Sequence, residues 1–250
     1  MRVLGIDTAV RTASVALSQD GDLLAEEIQD SASKRNGGAD VQPLGNHSEV
    51  VLPLIASLFE KAQMNVQQLS GIAVSIGPGS FTGLRIGLAT AKGIAYESGL
   101  SLVGISTLHA NAARVHRFEG LIASVLDARK GELYLALFRS DGVTITRLTS
   151  DAVVSVDSAI ELILEYRRRP VEDLLLIGDG AKVYERRWID ALRPALRIST
   201  GACYPSIAAQ VAMLGCQRFA ASWSDDIGAL TPIYLRPSEA QRKMGNLASF

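Results

Sequence analysis

Cysteine is nearly absent: Cys203 and Cys216 are the only two in 250 residues. Their spacing fits no zinc site and both sit among apolar residues, so free buried thiols in a reducing compartment are expected. Surplus charge of either sign is also missing, since 25 basic residues against 26 acidic leave a net charge of -1. No overall field then draws the chain to nucleic acid or to an anionic membrane, and any nucleic-acid contact is expected to be local or made through a partner. No run of ~20 apolar residues would span a bilayer. The opening Met1-Arg2-Val3-Leu4-Gly5-Ile6-Asp7 reaches an acid too early for the apolar core of a secretion signal, so a cytoplasmic protein is expected. HExxH, a Walker loop, a Ser/His/Asp order, paired catalytic carboxylates and a Cys/His nucleophile are all missing, which removes the commonest hydrolytic and P-loop chemistries. What remains is a chain 48% hydrophobic and 20% charged, long enough for one large domain or two smaller halves.

Val3 to Ile6 reads as a buried strand ending at Asp7-Thr8. Ser14 to Ser18 and Leu23 to Ile28 read as two more, joined through the hairpin signal Asp20-Gly21. Ser31 to Asn46 has no period and many turn formers, so it reads as a surface loop. Val50, Val51, Leu54, Ile55, Leu58, Phe59 and Ala62 then recur at helical spacing from about Ser48 to Gln63. The second half repeats the opening. Leu121 to Leu126 ends at Asp127, Glu132 to Phe138 follows, and Asp141-Gly142 turns into Val143 to Leu148. Asp7 to Asp20 spans 13 residues and Asp127 to Asp141 spans 14, so two strand-Asp-strand-turn-strand units lie 120 residues apart. Later, Ser158 to Arg168 reads as a helix with Ile160, Ile163 and Leu164 inward and a solvated Arg167-Arg168-Arg169 end. Leu174 to Ile177 reads as a strand leading into the tight turn Gly178-Asp179-Gly180-Ala181, and Pro205-Ser206 opens a largely buried helix.

The richest stretch is Ser75-Ile76-Gly77-Pro78-Gly79-Ser80-Phe81-Thr82-Gly83-Leu84-Arg85-Ile86-Gly87. It predicts a strand, a glycine turn and a helix capped by Ser80. Gly83, Gly87, Ala91 and Ala95 fall four apart on one face of that helix, where a second backbone can approach closely. Each interior glycine costs about 1 kcal/mol relative to Ala, so packing or a partner must need the missing side chains. Three readings stay open from the residues: helix-on-sheet packing within the chain, a partner-facing groove, or a phosphate site at the turn. An acid at the tip of the first strand of each half, Asp7 and Asp127, is the arrangement that holds a magnesium nucleotide between two lobes. The turn after Asp127 has only one glycine for a phosphate cradle, so the chain reads as a two-lobed nucleotide fold with a weakened site. His109 and His116, seven apart on an expected helix, are too far apart for one tetrahedral metal without a third ligand.

Taken together, Gly5-Ile6-Asp7-Thr8, His47-Ser48, Leu52-Pro53, the block from Gly77 to Gly87, Ala91-Lys92-Gly93, Asp127-Ala128-Arg129 with Glu132 and Tyr134, and Pro232-Ile233-Tyr234-Leu235-Arg236 resemble the bacterial TsaB (YeaZ) family. The glycine block is specific to it. The resemblance implies an α/β chain of the actin, Hsp70 and sugar-kinase (ASKHA) fold with two duplicated RNase H-like lobes: 1–106, 107–225, and a segment 226–250 returning to the first lobe. It further implies a non-catalytic subunit for TsaD, which transfers a threonylcarbamoyl group to the adenosine beside the anticodon of tRNA. TsaE joins the pair, TsaC supplies the threonylcarbamoyl adenylate, and tRNA is reached only through the complex. The implied interface is formed by the helices from Ser48 and Ser80, with Val51, Leu54, Leu58, Gly83, Gly87, Ala91 and Ala95 against equivalent helices of TsaD or of a second copy. No cofactor is held tightly. ATP or ADP enters with the TsaB-TsaD-TsaE complex, and Asp7, Thr8, Asp127, Gly178 and Gly180 mark a vestigial nucleotide cleft. TsaD carries a His-x-x-x-His metal motif where this chain has Thr107 and Asn111, so no metal site is expected. The alternative is a nucleotide-dependent kinase or hydrolase working through Asp7 and Asp127. The older peptidase label of such sequences finds no nucleophile here.

Overall fold

The computed structural model describes residues 1–30, 47–115, 117–168, 172–200 and 204–236. The loop read over Ser31 to Asn46, His116, Cys203 and the tail after Arg236 lie outside them. Strands β1 (Arg2–Asp7), β2 (Thr12–Gln19) and β3 (Asp22–Asp30) form the expected meander, closed by Asp20 and Gly21 at positive φ. Helix α1 (His47–Ala62), β4 (Gly71–Gly77), α2 (Phe81–Ser98) and β5 (Ser101–Ser106) follow, with β4 and β5 running parallel to β1. The sheet order is β3-β2-β1-β4-β5. Both helices cover one face of it: Leu4, Ile6, Val15, Leu17, Ile72 and Val74 share a core with Val51, Leu54 and Leu58 of α1 and Leu88, Ala91 and Ala95 of α2.

After α3 (Thr107–Ala113), β6 (Glu119–Arg129), β7 (Glu132–Asp141) and β8 (Ile145–Arg147) make the second meander, and β9 (Ala152–Ser155) pairs with the other part of β7. Then come α4 (Val156–Tyr166), β10 (Leu174–Ile177), α5 (Asp179–Val183), α6 (Glu185–Leu192), β11 (Leu196–Ser199) and α7 (Ile207–Ala220). The second sheet is ordered β11-β10-β6-β7-β8, the first sheet's order with β6 in the place of β1. The repeat seen in sequence is therefore a repeated topology, the duplicated α/β architecture of the ASKHA fold.

Each half gives its last helix to the other. Leu108 and Ala112 of α3 pack under Ile122, Leu126, Phe138 and Ile177 of the second sheet, while Ile207, Val211 and Cys216 of α7 pack under Val3, Ala73 and Val103 of the first. Gly5 has no room for a Cβ because the Ala208 carbonyl and Ala212 of α7 lie against it. Residues 207–220, placed by the sequence division with the second lobe, thus belong to the packing of the first. Two local readings also change. Leu164 is 49% exposed, and the inward positions of α4 are Val156, Ala159 and Ile163. Arg167 is no solvated end, since its guanidinium donates to the carbonyls of Glu172, Leu192 and Pro194 and so staples three segments together.

Candidate functional site

The glycine block forms the turn and helix expected of it. Ser80 caps α2 by accepting from the Gly83 amide at 3.2 Å, and Gly99 ends the helix in the left-handed conformation. The stripe of Gly83, Gly87, Ala91 and Ala95, however, is buried inside the chain. The Thr8 hydroxyl donates to the Gly83 carbonyl at 2.7 Å, and a Cβ on Gly87 would stand 2.3 Å from the Thr8 hydroxyl oxygen. These small residues admit the first sheet. Val51, Leu54 and Leu58 are likewise in the core, each at most 8% exposed. The groove reading of these seven residues is corrected accordingly, because burial of α2 and α1 on their own sheet leaves no partner access to them. The outer sides of the two helices stay open instead: Leu52 (56% exposed) and Ala56 on α1, and Arg85, Ala89, Gly93 and Tyr96 (83% exposed) on α2. A Cβ on Gly93 would meet no described residue within 4 Å.

The strand tips border a cleft between the halves, about 310 Å³ in volume, lined among others by Arg11, Thr12, Arg114, Gly178, Asp179 and Tyr204. Neither Asp7 nor Asp127 lines it. Asp7 is fully buried and accepts from the Ala9 amide at 3.2 Å. Asp127 accepts from the Arg129 amide at 2.8 Å, and its own amide donates to Asp179 at 2.9 Å. Burial, and then the Asp127 charge, push the Asp179 carboxyl above the usual carboxylate range. Thr8 spends its hydroxyl on α2. Gly178 and Gly180 also answer to the chain itself. A Cβ on Gly178 would lie 2.1 Å from the Val125 carbonyl, and one on Gly180 would lie 2.9 Å from Leu133. The five residues read from sequence as a nucleotide cleft therefore serve backbone turns and close strand contacts, and among the described residues no cluster of metal-ligating side chains occurs.

Thr107 and Asn111, the two positions that the family resemblance singled out for a metal pair, lie one turn apart on α3 and have side chains that do not fit a metal. The Asn111 amide donates to the Ser124 hydroxyl and the Ile177 carbonyl, both at 3.0 Å, and its oxygen accepts from Arg114. That buried network ties α3 to the second sheet. Sequence reasoning missed it. The C-terminal segment, read from sequence as returning to the first lobe, forms a strap at the end of the described chain whose reach into the second half was not read. The Ile233 amide donates to the Ile76 carbonyl at 2.7 Å, Tyr234 stacks on Phe81, and Arg236 reaches the Ala128 carbonyl and Glu132 in the second half. The signal was the Pro232 to Arg236 block, whose aromatic and cation sit two residues apart.

Comparison with known proteins completes the picture. A family model described as TsaD, tRNA N6-adenosine threonylcarbamoyltransferase, matches residues 23–243. The tRNA threonylcarbamoyladenosine biosynthesis protein TsaB of Bacillus subtilis is 32% identical over 97% of this chain and 97% of its own length. The chain belongs to the TsaB family. The TsaB of Escherichia coli is 28% identical over 98% of both chains. A tRNA N6-adenosine threonylcarbamoyltransferase of Sorangium cellulosum matches at 32% over 58% of this chain and 42% of its own, so the likeness to that enzyme is partial where the likeness to TsaB is end to end. In fold, YeaZ from Pseudomonas aeruginosa superposes with a TM-score of 0.71 over 94% of this chain and 99% of its own, at 22% identity. No helix among the described residues is long and apolar enough to cross a membrane.

Proposed function

We propose that the chain acts in tRNA threonylcarbamoyladenosine biosynthesis as a non-catalytic subunit that binds TsaD through the outer side of α1 and α2. The observation carrying this reading is Gly93. A glycine in the interior of an 18-residue helix costs about 1 kcal/mol relative to Ala, and nothing among the described residues occupies the space its side chain would take. With Ala89 one turn before it and the exposed Tyr96 nearly one turn after it on the same side of α2, the position leaves a small-residue surface next to an aromatic anchor, suited to the backbone of a partner helix. The same surface takes a second copy of the chain when TsaD is absent. TsaE joins the pair, tRNA is met only through the complex, and TsaC feeds it.

The non-catalytic part rests on the state of the cleft. Asp7, Thr8, Asp127 and Asn111 are committed to backbone and neighbouring side chains, and the glycines of the turns to the chain's own packing. The deciding experiment is co-purification with TsaD. Gly93→Leu should lose the partner while the chain stays folded, and full retention of TsaD would refute the assignment. Titration with ATP and magnesium tests the kinase or hydrolase alternative, which requires turnover that disappears in Asp127→Asn.

A further inference from the structure

A second cavity, of about 350 Å³, opens between α3, the C-terminal half of α7 and the segment after it. It lies across the first sheet from α1 and α2, so it is separate from the surface assigned to TsaD. Its walls are Ile105 and Leu214, and four polar or aromatic side chains face into it: His109, Gln217, Arg218 and Trp223. Two of them are unusual.

His109 stacks on Phe138 with ring centroids 5.5 Å apart, and neither of its ring nitrogens has a hydrogen-bond partner among the described residues. Burial and the nearby Arg147 cation lower its pKa to about 4, against a smaller opposing effect of Asp151, so the ring is neutral at physiological pH. A neutral imidazole offers one donor and one acceptor, and here both are directed to no protein group. Trp223 is 55% exposed at the rim, yet it is held. Its indole N–H donates to Asp225 at 3.1 Å and the Arg218 guanidinium lies 5.2 Å from its ring centre. Arg218 is itself anchored on the Gly104 carbonyl and paired with Asp225. The cavity thus presents a fixed flat aromatic surface, apolar walls, and donor and acceptor groups without a net charge to satisfy.

We propose that this cavity binds a small neutral heteroaromatic molecule of the nucleobase kind, stacked on Trp223 with its hydrogen-bonding edge read by His109 and Gln217. A hydrocarbon ring would leave the imidazole unsatisfied, and a charged ligand of either sign would find no unpaired opposite charge, since Arg218 is already neutralised by Asp225. A heterocycle with adjacent donor and acceptor atoms matches both the imidazole and the amide.

The chain contains two tryptophans, and Trp188 is fully buried in the second half, so quenching by a ligand at the rim reports on Trp223. The full chain is titrated with adenosine, guanosine, cytidine and uridine in turn, with excitation at the red edge of the indole band. Saturable quenching by at least one nucleoside is expected, with a Kd of roughly 10 µM to 1 mM. His109→Phe keeps the stack on Phe138 and should weaken that binding about tenfold, the loss of one satisfied polar pair. Gln217→Ala, on an exposed position of α7 where folding is not at stake, should weaken it severalfold. The proposal is overturned if none of the four quenches saturably up to about 10 mM, or if Gln217→Ala binds as tightly as the unmodified chain.

Discussion

On its inner face α2 buries Gly83, Gly87, Ala91 and Ala95 against the first sheet, and at Gly87 the Thr8 hydroxyl stands where a side chain would go. On its outer face Ala89 and Gly93 repeat the four-residue spacing in open space. The two stripes look alike as sequence and differ in what uses them. A run of small residues says that something approaches closely; the residues beside it say what. The inner stripe is flanked by Leu84 and Leu88, both buried, and the outer one by Arg85, Lys92 and Glu97, which stay in water or near it.

Substitutions on the two faces should separate them, beginning with the most severe. Gly87→Leu must place a branched side chain where the Thr8 hydroxyl stands, and a loss of more than about 3 kcal/mol is expected, seen as insoluble protein or a collapsed thermal transition. A cooperative melt near that of the unmodified chain would erase the distinction between the faces. Gly93→Leu should reduce TsaD affinity about a hundredfold in a titration while shifting folding stability by no more than about 0.5 kcal/mol in either direction. Gly87→Ala should cost about 1–3 kcal/mol in urea unfolding, and removing the obstructing oxygen with Thr8→Ala should make the double variant more stable than the sum of the two single losses, by about 1 kcal/mol. Strict additivity would mean that the close approach at 2.3 Å does not decide the fit. At the gentle end, Gly93→Ala should stabilise the isolated chain by about 0.5–1 kcal/mol, because it adds helix propensity in open space. Destabilisation would show that the outer face is used internally after all.

Much of the fold could be read from residues alone because its signals are local. Asp20-Gly21 and Asp141-Gly142 mark the hairpins, Ser80 and Ser206 mark helix starts, and the matched order of strands, acids and turns announces the duplication. Packing across the chain was less legible. The inward side of α4 was misjudged at Leu164, since one helical period leaves two adjoining arcs that differ little in hydropathy. The second strand tip and its glycines looked like an opening for a nucleotide. In the structure that closeness is taken up by the Val125 carbonyl and Leu133, contacts with strands about fifty residues earlier in the chain. The Asn111 network likewise joins α3 to β6 and β10, and no window of sequence contains its partners.

The exchange of α3 and α7 between the sheets gives the molecule the form of two swapped protomers joined end to end. In a domain-swapped dimer each protomer completes the other with a terminal element, and here one polypeptide does so for itself. Severing the connection between α3 and β6 would therefore not release two independent domains. Each fragment would carry a helix shaped for the other's sheet and a bare apolar sheet face awaiting one, so the halves should refold only when mixed, as a heterodimer reconstituting the original exchange.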